Sequence, residues 1–148
     1  IGLVPAIILT APLFGVSILE LGFPLLLLFL SLYIFGITLG LFVSAGLIRF
    51  GPSFENIAWS SLFLLAPLGC IYYPIEILPN FFQIVAKCLP LVYIFDETRN
   101  ILLNGIINYE NLKQAYLLNL VYLILGIFLF YLSFLKARIK GTLINMGE

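Results

Sequence analysis

Histidine is absent from this chain of 148 residues, and charged residues make up only 9% of it. The absence of histidine removes the commonest general base and the commonest metal ligand. Soluble domains carry about 25% charged residues, because their surfaces must meet water. With 63% hydrophobic residues, seven basic and seven acidic side chains, this chain cannot cover a water-facing surface. We therefore expect lipid to be its solvent.

The two cysteines and the formal net charge of zero bear on which ligands and partners to expect. Cys70 and Cys88 lie in apolar stretches without a CxxC spacing, which favours small hydrophobic side chains over a disulfide or a metal site. Balanced charge gives no long-range field that would attract nucleic acid. We expect no metal, no catalytic residue and no nucleic-acid partner. The chain opens at Ile1 without a charged leader, so we also expect that upstream sequence is missing.

Four apolar stretches are long enough to cross a bilayer, which takes about 20 residues at about 1.5 Å each. They predict an all-α, polytopic membrane helical bundle that forms a single domain, 1–148. Pro5 and Pro12 interrupt the first stretch, and Pro67 lies inside the third, where it predicts a kink. The four predicted transmembrane helices are 2–19, 23–48, 57–73 and 115–135.

The segment 74–114, between the third and fourth spans, is too polar to cross the bilayer and too apolar to be a simple loop. The prolines that divide it are Pro74, Pro79 and Pro90. Polar residues recur at helical spacing on each side of the last proline. They are Asn80, Gln83 and Lys87 in the first piece, and Asp96, Arg99 and Asn100 in the second. We expect a short helix pair that is interfacial or re-entrant.

Basic residues near the ends of the spans predict the orientation, since Lys and Arg are enriched in cytoplasmic loops. With a cytoplasmic C-terminus, the residues inside are Arg49, Lys136, Arg138 and Lys140. The outer basic residues are Lys87, Arg99 and Lys113, and they lie among acidic side chains. We therefore expect a multi-pass protein with its C-terminus in the cytoplasm.

Two shorter patterns concern the second and third spans. Small residues follow one side of span two, at Gly36, Gly40, Ser44 and Gly46. Small side chains allow close helix approach, so this face is predicted to pack within the subunit or at a dimer seam. After the helix-breaking pair Gly51-Pro52, Ser53 is a candidate cap for the third span.

The heptapeptide Tyr73-Pro-Ile-Glu-Ile-Leu-Pro79 resembles the end of the fifth transmembrane helix in ABC-2 transporter permeases. The surrounding residues resemble the same family in order and spacing. The matching stretches are Gly40 to Gly51, Pro67-Leu-Gly69, Leu89-Pro-Leu-Val-Tyr93, Phe95-Asp-Glu-Thr-Arg99 and Lys136-Ala-Arg-Ile-Lys-Gly141. The resemblance implies that the four spans correspond to helices three to six of a six-helix subunit, of which this chain is the C-terminal part.

The resemblance implies the permease subunit of an ATP-driven ABC exporter in a bacterial or archaeal inner membrane. Such a subunit forms a homo- or heterodimer beside an ATP-binding cassette ATPase, which holds the ATP and Mg²⁺. The phosphate-binding motif GxxxxGK[ST] is missing from this sequence, so no cofactor and no enzymatic activity are expected in this chain. The exported substrate stays open between a drug, a lipid and a polysaccharide.

The polar and proline residues of the segment 74–114, with Tyr73 before it, are candidates for a transport pathway or a gate. The candidates are Tyr73, Pro74, Pro79, Asn80, Gln83, Lys87, Pro90, Asp96 and Arg99. The segment is either a lid over the pathway or an interfacial helix pair whose polar side meets water. Asp96 and Arg99, three residues apart, predict an ion pair that is a surface contact or a clamp inside the membrane. Glu55 either stabilises the start of the third span or contacts the ATPase.

Three other classes of membrane protein compete with this interpretation. A membrane-embedded enzyme needs His or clustered carboxylates near the membrane face, and the carboxylates here are scattered. A secondary transporter needs ionisable groups within its spans, and all four predicted spans are uncharged inside. A passive membrane scaffold fits the composition, and only the proline-divided segment argues against it.

Overall fold

A computed structural model describes residues 22–105 and 107–140 of the chain. The predicted first span, 2–19, lies outside these described residues. Helices connected by short turns make up the described part, which contains no strand, and this confirms the all-α class. The elements are α1 (Gly22–Phe50), α2 (Phe54–Leu68), a 3₁₀ helix (Ile75–Ile77), α3 (Asn80–Lys87), α4 (Pro90–Asn104) and α5 (Tyr109–Lys140).

α1 and α5 are the two long helices. They have 29 and 32 residues, and at about 1.5 Å per residue they extend over about 44 and 48 Å. Within them, Leu26–Phe50 and Tyr109–Ile139 are long and apolar enough to cross a membrane, and only 22% and 17% of their most apolar stretches is buried. A helix that is apolar all round and buried so little differs from the core helix of a soluble domain. Two of the described helices, rather than the expected three, have the length of a span.

α2 corrects the predicted third span, 57–73. The helix has 15 residues and ends at Leu68, directly after Pro67, so it extends over about 22 Å, less than the apolar core of a bilayer. The predicted kink at Pro67 is instead the end of the helix, because the chain turns there and Cys70 takes a φ of 53°. Tyr73 donates its hydroxyl proton to the Pro67 carbonyl at 2.8 Å. That bond satisfies a carbonyl that a longer helix would have used itself.

α1 and α5 pack against each other and run in the same direction. Asn119 of α5 donates to Ser31 of α1, which lies 88 residues earlier. Seven residues further along both helices, Gly126 lies against Thr38 and Leu41: a Cβ added to this glycine would be 3.6 Å from the Thr38 carbonyl oxygen and 3.4 Å from the Leu41 Cβ. The contacts advance together along the two helices. Only a parallel pair contacts in this order.

Small and polar residues line this contact, which we call the seam. Small or polar buried residues recur every seventh position, at Ser31, Thr38 and Ala45 on α1 and at Asn119, Gly126 and Ser133 on α5, and the larger Leu28 and Phe35 of α1 are buried at the same interval. Small side chains let two helix backbones approach closely. An interval of seven keeps the same side of each helix toward its partner as the two wind around each other. The seam therefore makes α1 and α5 one packed unit.

The predicted small-residue face of the second span is packed only near the end of α1. The Phe54 ring of α2 lies directly over Gly46. A Cβ on Gly36 or Gly40 would meet no atom within 4 Å, and Gly36 borders an open groove of about 460 Å³. Within the described residues, this face is packed at Gly46 and open at Gly36 and Gly40, because the seam uses another side of α1. Its packing at a dimer seam stays a prediction.

Candidate functional site

The candidate site is the proline segment, which we define as residues 69–105: the turn after α2, the 3₁₀ helix, α3 and α4. α4 packs on the first turns of the two long helices. Its Ile94 and Ile101 form a buried cluster with Leu28 of α1 and Ala115 of α5. The proline segment therefore covers the end of the helix pair at which both long helices begin.

Three prolines start the three helices of the proline segment. Pro74 and Pro79 precede the 3₁₀ helix and α3, and Pro90 is the first residue of α4. Proline suits a helix start because its missing N–H would have no partner there and its φ is already helical. Pro90 is buried, whereas Pro74 and Pro79 are exposed. All three have a structural role, and their part in a gate stays a prediction.

Two tyrosine hydroxyls fix the break between α3 and α4. Tyr93 donates to the carbonyl of Lys87 at 3.0 Å, and Tyr122 of α5 donates to the carbonyl of Cys88 at 3.0 Å. Both carbonyls belong to the end of α3, where the helix offers them no partner. Burial, with a smaller contribution from Cys88, raises the pKa of the Tyr93 hydroxyl. Tyr93 therefore keeps the proton that it donates.

α3 carries the polar candidates Asn80, Gln83 and Lys87. Asn80 and Lys87 are exposed. Gln83 is half-buried and donates its side-chain amide to the carbonyl of Leu78 at 2.8 Å. The amide of Gln83 is thus used inside its own segment, where it holds the turn before α3. The exposed apolar residues of the same helix are Phe81, Phe82, Ile84 and Val85.

Arg99 bonds to backbone rather than to Asp96. Its Nη2 donates to the carbonyl of Cys70 at 2.9 Å, and its Nε to that of Phe95 at 3.3 Å. Asp96 Oδ2 accepts from Asn111 Nδ2 at 3.4 Å instead. The predicted Asp96–Arg99 ion pair is therefore absent from the described part of the chain, because the guanidinium is turned toward the end of α2. The remaining nitrogen, Nη1, is buried and has no hydrogen-bond partner there.

Glu97 is the site residue that the sequence reasoning missed. Its side chain is only 1% exposed. Oε1 accepts from the backbone N–H of Asn108 at 2.6 Å, and Oε2 from Asn111 Nδ2 at 3.2 Å. Both donors lie at the start of α5, where free N–H groups and the helix dipole favour a carboxylate. Glu97 thereby joins α4 to α5, and no signal in the sequence distinguishes it from the neighbouring Asp96.

Glu55 lies exposed in the first turn of α2. Its Oε1 accepts a long hydrogen bond, 3.5 Å, from Trp59 Nε1. Ser53 makes no side-chain cap, so that prediction is wrong: its φ of −60° and ψ of −20° are already helical. The first N–H groups of α2 donate instead to the carbonyls of Gly51 and Pro52, at 3.1 and 3.0 Å. Glu55 therefore lies where a carboxylate interacts favourably with the dipole of α2, and its exposed side chain is also accessible to a partner.

Side chains that commonly bind metal ions are not grouped in the described part of the chain. Within 22–105 and 107–140, no three His, Cys, Asp or Glu side chains form a group that could hold a metal ion. Comparison with protein-family models, with curated proteins and with solved structures found no match.

Proposed function

We propose that this chain is part of the transmembrane permease subunit of an ATP-driven exporter of the ABC-2 type. The observation that carries this proposal is the parallel packing of two long apolar helices whose outer surfaces stay uncovered. In water so large an apolar surface is unfavourable, whereas in lipid it is the expected state. The subunit would form the path for a drug, a lipid or a polysaccharide.

The parallel seam supports a topology with three crossings in the described residues. A chain that leaves α1 at one membrane face has to return before α5 starts in the same direction. α2, with its flanking turns, is the part of the chain that makes this return. The predicted span 2–19 would supply a fourth crossing. We therefore retain four crossings as a proposal, although α2 is shorter than a typical span.

The seam also supports a cytoplasmic C-terminus. Residues that contact each other across the seam are 88 positions apart in sequence, as Ser31 and Asn119 are. The same interval brings Arg49 of α1 level with Ala137 of α5, which lies between Lys136 and Arg138. Three basic residues then lie at one end of the helix pair, and the proline segment lies at the other. Since basic residues favour the cytoplasmic face, we place the proline segment outside. In this orientation Glu55 is on the cytoplasmic side, where it remains a candidate contact with the ATPase.

The chemistry of the seam favours an external energy source over ion coupling. A secondary transporter binds its coupling ion with ionisable side chains in the membrane. The buried polar residues of the described parts of α1 and α5 are Ser31, Thr38, Asn119 and Ser133. Not one of these four ionises near neutral pH. A partner that hydrolyses ATP fits such a subunit, with a second permease subunit completing the pathway.

The proline segment is the proposed outer end of the pathway. Asn80 and Lys87 are exposed on α3, where they are available to a substrate or to lipid headgroups. The exposed Phe81 and Ile84 of the same helix suit the apolar part of the membrane interface. Asp96 and Arg99 belong to α4 and bond to Asn111 and to the Cys70 carbonyl, which makes their contribution structural in this proposal.

Co-purification tests the proposal. The full-length protein, tagged and extracted in mild detergent from its own cells, is expected to retain a nucleotide-binding subunit in stoichiometric amount, with ATPase activity in the eluate. Mass spectrometry identifies the retained subunit, and a tagged, unrelated membrane protein serves as the matched control. Purification of the chain without any ATPase, under several detergents, would contradict the exporter proposal and favour a scaffold.

A further inference from the structure

α2 is sparsely covered by the rest of the described chain. Ala58 is its only buried side chain among the residues described. The turns at both ends of α2 contain a residue with a left-handed backbone conformation. Gly51, before the helix, has a φ of 76°, and Cys70, after it, has a φ of 53°. Turns of this kind, with little packing between them, leave the position of α2 dependent on a small number of specific contacts.

At the end nearest the proline segment, α4 both packs on the turn after α2 and donates a hydrogen bond to it. A Cβ on Gly69 would lie 2.9 Å from Leu91 Cδ1, so α4 packs directly on this turn. Arg99 Nη2 bonds to the carbonyl of Cys70 at 2.9 Å. Cys70 itself is fully buried. A non-glycine residue with this φ persists only where its surroundings hold it. The Arg99 bond does so together with two bonds to the Pro67 carbonyl, one from the Cys70 N–H and one from the Tyr73 hydroxyl.

Arg99 is well placed to hold this turn because α4 is itself fixed. Glu97, two residues earlier, joins α4 to the start of α5 through the N–H of Asn108. Arg99 Nε also bonds to the Phe95 carbonyl within α4. α4 therefore connects the end of α2 to the pair of long helices through the Arg99–Cys70 bond, the Gly69–Leu91 contact and the buried cluster of Cys70 with Val92.

The guanidinium has unused hydrogen-bonding capacity. Its Nη1 is buried without a partner among the described residues. Asp96 lies three residues earlier in α4, which is one helical turn away. Release of the Cys70 carbonyl would let Arg99 turn toward the Asp96 carboxylate. Two alternative sets of partners are what a two-state contact requires.

We propose that Arg99 is a positioning residue whose hydrogen bond to the Cys70 carbonyl holds the outer end of α2 closed against α4, and whose release lets that end move away. The bond itself does not depend on the transport proposal. Its use as an outer gate that opens during the ATP cycle does rest on that proposal. Cys70 is a natural reporter, because it is buried when the turn is closed and accessible when the turn has opened.

The test compares the rate at which N-ethylmaleimide labels Cys70 in membranes that contain the full-length protein. The variants are Arg99→Met, Arg99→Lys and, as a matched loss of one cation at the same end, Lys113→Met. Labelling at each cysteine is quantified by mass spectrometry, and the exposed Cys88 is the internal control for access of the reagent. Circular dichroism of the purified variants checks that the fold is retained. We expect Cys70 to react at least tenfold faster in Arg99→Met, to an intermediate degree in Arg99→Lys, and unchanged in Lys113→Met.

Electrostatics alone would give the opposite result. Burial disfavours the reactive thiolate of Cys70, and the Arg99 charge opposes that effect. Removal of the charge would therefore slow labelling if the turn stayed closed. Unchanged or slower labelling of Cys70 in Arg99→Met, with Cys88 at its normal rate, would overturn the proposal. If Arg99→Met fails to insert, the same outcome in Arg99→Lys overturns it.

A second labelling experiment, in the complex with the ATPase, tests the gate separately from the Arg99–Cys70 contact. In the complex with the ATPase, we expect the labelling of Cys70 in the unaltered protein to differ between the nucleotide-free and the vanadate-trapped state. A difference supports the gate. Equal labelling in both states, together with fast labelling in Arg99→Met, would overturn the gate while the Arg99–Cys70 contact stands.

Discussion

Asn119 donates its side-chain amide to two oxygens of Ser31 at once, the carbonyl at 2.9 Å and the hydroxyl at 2.8 Å. Asn119 is 1% exposed and Ser31 is fully buried, so the bonds lie inside the seam between α1 and α5. An amide in an apolar environment needs such partners, because an unpaired polar group there is costly. The pair therefore fixes both the register and the parallel direction of the two helices.

Replacement of Asn119 by alanine is expected to weaken the seam by about 1 kcal/mol, the usual magnitude for a hydrogen bond between membrane helices. The measurement is the free energy of unfolding of the full-length protein in mixed micelles titrated with a denaturing detergent. Leu120→Ala, next to it but 59% exposed, is the control and should have a smaller effect. Equal effects of the two variants would show that Asn119 does not stabilise the helix pair.

A large side chain at Gly126 is expected to separate the long helices. A Cβ there already lies 3.4 Å from the Leu41 Cβ, and further atoms would have to displace α1, which costs about 1–3 kcal/mol. Gly36→Leu is the matched control, because a Cβ on Gly36 meets no atom within 4 Å. We expect Gly126→Leu to unfold at lower detergent concentration than Gly36→Leu. The reverse order would contradict the seam and place a close neighbour at Gly36 instead.

Glu97→Gln is expected to destabilise the junction between α4 and α5. One oxygen can still accept from the N–H of Asn108, but the new amide group faces Asn111 Nδ2, which is also a donor. Loss of a buried charge-assisted hydrogen bond costs about 1–3 kcal/mol. The readout is hydrogen exchange at the first turn of α5, which should accelerate. Glu110→Gln, exposed in the same turn, should leave exchange unchanged, and similar rates in both variants would argue against this role.

The helical class, the long helices and the two shorter helices follow from apolar length and from the placement of prolines. α1 and α5 contain the long uncharged runs 23–48 and 115–135, and Pro79 and Pro90 start α3 and α4 where a missing N–H has no cost. α2 ends earlier than its apolar run suggests, because Tyr73 and the turn at Cys70 take over its last carbonyls. A hydropathy profile does not show which groups will bond to the last carbonyls of a helix, so it does not predict where α2 ends.

The contacts that give the site its geometry were not predictable from the sequence, because they join residues far apart in the chain. Arg99 reaches Cys70 across 29 residues, and Asn119 reaches Ser31 across 88. A helical wheel places Asp96 and Arg99 on one face and so favours an ion pair. The competing carbonyl at the end of α2 becomes visible only when α4 is packed on that turn. Glu97 is hidden for the same reason, since its partners belong to the next helix.

The claim on which the proposed function depends is that α5 crosses a membrane, with the proline segment outside and the C-terminal end inside. Single cysteines at Asn80 and at Arg138, in a Cys70→Ser, Cys88→Ser background, measure this directly with a membrane-impermeant maleimide. We predict labelling of position 80 in intact cells and of position 138 only after permeabilisation. Labelling of both positions from the same side, or in the reverse order, would contradict the account.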